Sequence, residues 1–122
     1  LPEARNEYLT IDVMAFPKIQ ACWPLPVAAF ELENNPDRIA YSFWKLLCLR
    51  VPIRVLFCYR QRSSERDSLI RMLQDDILQS MKTTPEGDTL LVIGSRDESS
   101  VFPYGFFRWW HLDPNTARFN VI

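Results

Sequence analysis

Residues 53–59, Ile-Arg-Val-Leu-Phe-Cys-Tyr, constrain the fold more than any other stretch of the sequence. The run is apolar apart from one arginine. A strand with one solvated face alternates apolar and polar residues, whereas an almost unbroken apolar run is typical of a strand buried on both faces. We therefore expect these residues to form a parallel or central strand of a sheet.

A helix is predicted between this strand and an earlier strand at residues 27–33. Asn35 is a favourable N-cap, and Pro36 suits the first helical position. The helix is expected to run to about Arg50. Its apolar stripe comprises Ile39, Phe43, Leu46 and Leu47. Strand, helix and strand in this order predict a right-handed crossover.

The remaining elements follow from hydrophobic period and turn residues. Residues 1–7 are predicted to be a short polar tail, and residues 8–16 to form one strand antiparallel to 27–33. A long helix is predicted over 63–82, with a buried stripe of Ile70, Leu73, Ile77 and Met81. Further strands are predicted at 89–95, 105–112 and 117–122. The last two strands are expected to form a C-terminal β-hairpin.

The predicted element order, β, β, α, β, α, β, β, β, indicates an α/β fold with a mixed central sheet flanked by helices. At 122 residues, with 48% hydrophobic residues, the chain is expected to be a single domain with a real core.

Three carboxylates come from the two predicted strands at 8–16 and 27–33. Asp12 lies in the middle of an apolar strand, and Glu31 and Glu33 share one face of the next strand. Like charges on one face are costly unless a cation stands between them. If the strands pair, Asp12 can lie beside Glu31 with Cβ atoms about 5 Å apart. A hard cation would relieve the repulsion, and Mg²⁺ is favoured because its sites combine one or two carboxylates with substrate phosphate.

This pattern resembles the PD-(D/E)XK nuclease superfamily, which has the restriction-endonuclease-like fold. The resemblance covers residues 8–59: Thr-Ile-Asp-Val resembles the superfamily's Asp motif, and Phe-Glu-Leu-Glu-Asn resembles its E-x-K motif. It implies that Asp12 and Glu31 are ligands of Mg²⁺ or Mn²⁺, with help from the carbonyl of Leu32. It also implies metal-dependent, endonuclease-type hydrolysis of DNA phosphodiester bonds.

The chain departs from the superfamily pattern at two places. Glu33 stands where most members have Lys, and the resemblance implies that it acts as a metal ligand or activates the water. In some members a Lys or Arg on the following helix supplies the missing charge, which here implies Lys45, with Arg38 as the second choice. Residues 1–7 are also too short for the helix and strand with which such domains usually begin. We therefore expect residues 1–122 to be a nuclease-like domain that lacks this helix or is cut from a longer chain.

Two other readings stay open at the level of the sequence. The first is a catalytically inactive interaction module on the same fold, within a larger nucleic-acid-processing complex. It is favoured by the missing motif Lys, by the net charge of −1 and by the aromatic stretch 106–111, which we expect at a protein interface or in a homodimer. The second is an unrelated α/β domain whose carboxylates form an ordinary solvated sheet edge.

The amino-acid composition narrows the classes of protein to which the chain can belong. The single His excludes His-rich metal sites. Three Cys without a C-x-x-C pair favour buried thiols in a reducing compartment over a disulfide framework. No apolar run approaches the roughly 20 residues of a membrane span. The sequence thus predicts a soluble, intracellular protein of the cytoplasm or nucleus, with DNA as its expected partner and no membrane association.

Overall fold

The computed structural model describes residues 10–18, 23–81 and 83–122, and the backbone of residues 3–8. In these residues the chain has an α/β fold around one mixed, seven-stranded sheet whose strands lie side by side in chain order. The strands are β1 Glu3–Tyr8, β2 Ile11–Phe16, β3 Ala28–Glu33, β4 Ile53–Arg60, β5 Asp88–Ser95, β6 Phe107–Asp113 and β7 Arg118–Val121. The predicted class, α/β with a mixed central sheet, is confirmed.

β4 lies at the centre of this sheet, as its apolar sequence predicted. It is parallel to β3 on one side and to β5 on the other, whereas the remaining neighbouring strands are antiparallel. Leu56 is fully buried, and Val55, which points to the opposite face, is 4% exposed. Burial on both faces explains why this strand carries almost no polar residue.

Two helices connect the parallel strands. The helix α1, Ile39–Leu47, follows a single 3₁₀ turn, Pro36–Arg38, and leads into β4. The helix α2, Arg66–Met72, lies between β4 and β5. Buried residues of both helices join one apolar cluster with Leu56 and Leu91, so both helices cover the same face of the sheet. No helix in the described ranges is long and apolar enough to cross a membrane.

The predicted start of the helical segment agrees with the structure, but its predicted end does not. Asn35 caps the 3₁₀ turn Pro36–Arg38, and its side-chain oxygen accepts a hydrogen bond of 3.0 Å from the amide of Asp37; the regular helix α1 begins after this turn, at Ile39. The regular helix ends at Leu47 rather than near Arg50. The Leu49 amide donates to the Leu46 carbonyl, a tighter last turn, and the Leu49 carbonyl accepts from the Arg54 side chain. A contact from β4 thus helps to hold the chain that leaves the helix.

The prediction of one continuous strand over residues 8–16 was wrong. Tyr8 pairs with Ile11 across a tight turn, and Thr10 has a φ of 63° in this turn. β1 therefore occupies the stretch that was predicted to be a polar tail, and the sheet has a strand before the one that carries Asp12. A threonine rarely adopts a positive φ, so the composition gave no sign of the turn.

The long helix predicted over 63–82 is also broken. A 3₁₀ turn, Ser63–Glu65, precedes α2, and a wide π turn, Leu73–Ile77, follows it before a last 3₁₀ turn, Leu78–Ser80. In the wide turn the amide of Leu78 reaches the carbonyl of Leu73, five residues back. This shift buries Leu78 and leaves the predicted core residue Ile77 only partly buried. The predicted helix end, Lys82, lies outside the described residues.

Candidate active site at the end of β3

The structure brings together the site residues that the sequence predicted. Asp12 lies on β2, Glu31 and Glu33 lie near the end of β3, and Lys45 lies on α1. They line a common cleft with a volume of about 340 Å³. The other residues of the cleft wall are Thr10, Leu32, Arg38, Tyr41 and Ser42. The cleft lies where the carboxyl ends of parallel strands meet the following helix, the usual place for a ligand in an α/β sheet.

The cleft exists because β2 and β3 part at this point. Their regular backbone pairing ends at Val13 and Phe30. Beyond it, the amide of Asp12 donates to Oε1 of Glu31 at 3.2 Å, and the amide of Leu32 donates to Oδ2 of Asp12 at 2.7 Å. Each carboxylate thus replaces a backbone carbonyl of the neighbouring strand as the acceptor. These bonds fix both side chains and satisfy amides that the parted strands would otherwise leave unpaired.

One oxygen of each carboxylate stays uncommitted to the protein. Oδ1 of Asp12 and Oε2 of Glu31 accept no hydrogen bond from the residues that the structure describes. The pair therefore presents two anchored carboxylates, each with an oxygen that a ligand can use.

Lys45 supplies the positive charge of the cleft. Its ammonium nitrogen lies 3.1 Å from Oε1 of Glu31 and donates to the carbonyl of Thr10 at 2.7 Å. These contacts use two of its three N–H groups, and the third is left for a ligand. The ammonium thus sits beside the carboxylate pair, held by two contacts.

Glu31 is the most deeply buried charged residue of the site, with 3% of its surface exposed. Burial raises its pKa, the hydrogen bond from Lys45 opposes this rise, and the nearby charge of Asp12 adds to it; the net pKa is raised. Two carboxylates face one ammonium, so the Asp12–Glu31–Lys45 set has a net negative charge when all three groups are ionised. A bound cation would remove this imbalance.

Glu33 is held in a different way from the other two carboxylates. Its Oε1 accepts from the amide of Asn35 at 2.9 Å, and its Oε2 accepts from the buried hydroxyl of Ser42 at 3.0 Å. Oε2 therefore ties the end of β3 to α1, and Oε1 holds the backbone just before the 3₁₀ turn. Consistent with this, no group of three His, Cys, Asp or Glu side chains in the described residues is arranged to hold a metal ion. Asp12 and Glu31 remain as a two-carboxylate pair.

Two exposed aromatic residues on α1 stand beside the cleft, and the sequence analysis missed them. Tyr41 is 50% exposed and Trp44 48% exposed, with their ring centres 6.1 Å apart. The Lys45 nitrogen lies 5.5 Å from the centre of the Tyr41 ring, and the guanidinium carbon of Arg38 lies 5.7 Å from it. Tyr41 lies four residues before Lys45, a helical spacing that brings the two side chains together, and Trp44 packs on Tyr41, but an exposed aromatic has no periodic signal of its own.

The aromatic stretch 106–111, predicted to cover the core and to leave an exposed remainder at an interface, is partly buried and partly exposed. Phe106 is 9% exposed and packs against Tyr59 and Phe107. Trp109 is 43% exposed, and the His111 ring bonds Asp88 at 2.9 Å.

Comparisons with known proteins gave no assignment: no family model matches the chain, and neither the curated proteins nor the solved structures contain a match to it. The geometry of the cleft is therefore the basis for a functional proposal.

Proposed function

We propose that the protein is a metal-dependent nuclease with a restriction-endonuclease-like fold, acting on the phosphodiester bonds of DNA. The supporting observation is the Asp12–Glu31–Lys45 set: two anchored carboxylates, each with an uncommitted oxygen, and an ammonium fixed beside them in one cleft. The first strands and α1 also follow the order expected of that fold, with β1 in place of the predicted tail.

Mg²⁺ or Mn²⁺ fits the donor chemistry of this pair. Asp12 and Glu31 would hold the ion, with the carbonyl of Leu32 as a further oxygen donor, because such ions take one or two protein carboxylates and complete their shell with water and substrate phosphate. When bound, the ion would polarise a phosphoryl oxygen and lower the pKa of a coordinated water.

Lys45 stabilises the negative charge that develops on the phosphate. The Thr10 carbonyl and Glu31 hold the ammonium in place before the substrate arrives, so little reorganisation is needed during the reaction. Glu33 acts as a positioning residue: by binding Ser42, three residues before Lys45, it keeps this side of α1 against the end of β3.

The rim of the cleft suits a nucleic acid. Exposed aromatic rings stack on unpaired bases, and neighbouring cations attract the phosphate backbone. Tyr41 and Trp44 supply the rings and Arg38 supplies a cation.

Cleavage of supercoiled plasmid tests the proposal. The wild-type chain should nick the plasmid with Mg²⁺ or Mn²⁺ and not with EDTA, and Asp12→Asn should lose this activity. Asp75→Asn, at an exposed carboxylate remote in the chain, is the matched control and should cleave normally. Cleavage that is equal in EDTA, or equal in Asp12→Asn, would rule out the proposed mechanism.

The inactive interaction module remains the second candidate. The observation that favours it is Glu33, which occupies the motif lysine position and has both oxygens engaged by Asn35 and Ser42. On this alternative the wild-type chain binds DNA or a protein partner, for example through the C-terminal β6–β7 hairpin with its exposed Trp109, and cleaves nothing with either metal ion.

A further inference from the structure

A second cleft lies at the opposite end of the parallel strands. It has a volume of about 680 Å³, twice that of the cleft at Glu31. Its walls come from the segment before β3, the chain after α1 and the turn before β5. They include the apolar residues Leu25, Val27, Leu49, Val51, Pro52 and Pro85. This volume is in the range of small-molecule sites, which are mostly apolar with a few polar groups.

Three charged residues line this cleft, Arg50, Arg54 and Glu86, and of these only Arg54 is buried, with 2% of its surface exposed. Its Nε and Nη2 donate to the carbonyl of Leu49 at 3.3 Å and 2.8 Å, and its Nη1 donates to the carbonyl of Glu86 at 2.7 Å. A guanidinium has five N–H groups. One N–H on each terminal nitrogen therefore has no acceptor among the described residues.

The charge of Arg54 has no carboxylate partner among the described side chains. Arg60 and Arg66, which are also mostly buried, pair with Glu65 and Glu98 at 2.8 Å. Arg54 instead contacts only carbonyl oxygens, and the exposed side chain of Glu86 makes no ion pair with it. Burial lowers the pKa of Arg54, as expected where nothing compensates for the loss of water.

A purely structural role accounts for only part of this arrangement. The two carbonyls explain how Arg54 joins the chain after α1 to the turn before β5, and the carbonyl end of a helix favours a cation. The structural role does not explain why a buried cation lies at the wall of this cleft without a counter-ion. Buried charges are normally paired.

We propose that this cleft binds a small apolar molecule that carries one carboxylate. The carboxylate accepts from the two remaining N–H groups of Arg54, the bidentate geometry in which guanidinium and carboxylate pair most strongly. The hydrocarbon part lies against the apolar wall formed by residues such as Leu25, Val27 and Leu49. This site is independent of the proposed nuclease activity.

Calorimetry with three probes of equal chain length tests the proposal on the 122-residue chain: decanoate, decan-1-ol and decyltrimethylammonium. One decanoate should bind per chain, about tenfold or more tighter than decan-1-ol, because only the acid can pair with the guanidinium. The cationic probe should bind weakest. Equal affinity for the acid and the alcohol, or no binding of decanoate at millimolar concentration, would overturn the proposal.

A variant at Cys48 and a matched control locate the binding without touching Arg54. Cys48 is exposed and lines the cleft, so Cys48→Phe should narrow it and weaken decanoate binding by about tenfold or more, whereas Gln79→Phe, at an exposed position outside this cleft, should leave binding unchanged. Unchanged affinity in Cys48→Phe would place decanoate elsewhere and overturn the proposal. Arg54→Gln, if it folds, should abolish the preference for the acid over the alcohol.

Discussion

The two ends of the parallel strands each bury one charged side chain on the helix-covered face of the sheet. At the carboxyl end, Glu31 is 3% exposed, and at the amino end, Arg54 is 2% exposed. Glu31 has an oppositely charged neighbour, Lys45, and accepts a hydrogen bond from the backbone amide of Asp12, whose carboxylate lies nearby. Arg54 has only backbone carbonyls.

The two buried charges differ in their neighbours, which are other charged side chains at Glu31 and backbone carbonyls at Arg54. Charged side chains from two other elements, Asp12 on β2 and Lys45 on α1, converge on Glu31, and the three groups leave oxygens and one N–H group free to bind a ligand in the cleft. The carbonyls around Arg54 hold loops together, so this residue carries a larger share of the stability of the fold. We therefore expect substitutions at the Glu31 end to change activity and substitutions at Arg54 to change stability.

Replacing Lys45 at the Glu31 end should slow cleavage strongly without abolishing it. Lys45→Ala should lower the rate of plasmid cleavage by about 10²-fold, the usual loss when one preorganised donor to a developing negative charge is removed. The exposed Lys18 provides the matched control, and Lys18→Ala should cleave at the wild-type rate. Single-turnover rates at saturating enzyme measure this effect, and equal rates for both variants would remove Lys45 from the reaction.

Replacing each of the two buried charged residues should change the free energy of unfolding by different amounts at the two ends of the parallel strands. Arg54→Met leaves the carbonyls of Leu49 and Glu86 without a donor and should lower the free energy of unfolding by about 2 kcal/mol. Glu31→Gln removes a charge that burial disfavours, so it should change stability by less than about 1 kcal/mol at neutral pH. Urea denaturation of metal-free protein measures both, and a larger loss in Glu31→Gln would reverse the comparison.

The difference in stability between the wild type and Glu31→Gln should also depend on pH, with a smaller magnitude and a defined sign. The pKa of Glu31 is raised in the folded state above its ordinary value of 4.5. The contribution of Glu31 to stability is therefore fully present below about pH 4.5 and is lost as the pH rises through the folded pKa. The stability of the wild type relative to Glu31→Gln should fall between pH 4 and pH 7. A difference that grows with pH would contradict a raised pKa.

Thiol reactivity should distinguish the cleft at Arg54 from the core beside it. The experiment uses a Cys22→Ser variant, which removes the cysteine outside the described residues. Cys48 is exposed, so in this variant it should react readily with a thiol reagent at pH 8. Cys58 is 1% exposed, and burial raises its pKa to about 12, so it should react only on unfolding. Mass spectrometry of the tagged peptides measures both, and rapid tagging of Cys58 in folded protein would contradict the packing around β4.

The part of this fold that depends on local signals could be predicted from the sequence. The apolar run of β4 fixed its central position, and Asn35 with Pro36 marked the start of the helix. The antiparallel pairing of β2 with β3 places Asp12 beside Glu31, so the convergence of the two carboxylates could be predicted from these two strands.

The parts that were missed depend on contacts between distant residues or on unfavoured backbone geometry. Thr10 adopts a positive φ that its residue type does not suggest, and the wide turn after α2 moves burial from Ile77 to Leu78. The partners of Glu33 and Arg54 become visible only when α1 and the loops are in place. A sequence pattern contains no information about which carbonyl will meet a buried guanidinium.

Binding of Mn²⁺ in the presence of DNA is the most direct test of the carboxylate pair as a metal site. Calorimetric titration should show one Mn²⁺ bound per chain with a phosphorothioate oligonucleotide that resists cleavage. Asp12→Asn should lose this binding, and Asp75→Asn should retain it. No binding by the wild type, or equal binding by Asp12→Asn, would contradict the assignment of Asp12 and Glu31 as metal ligands.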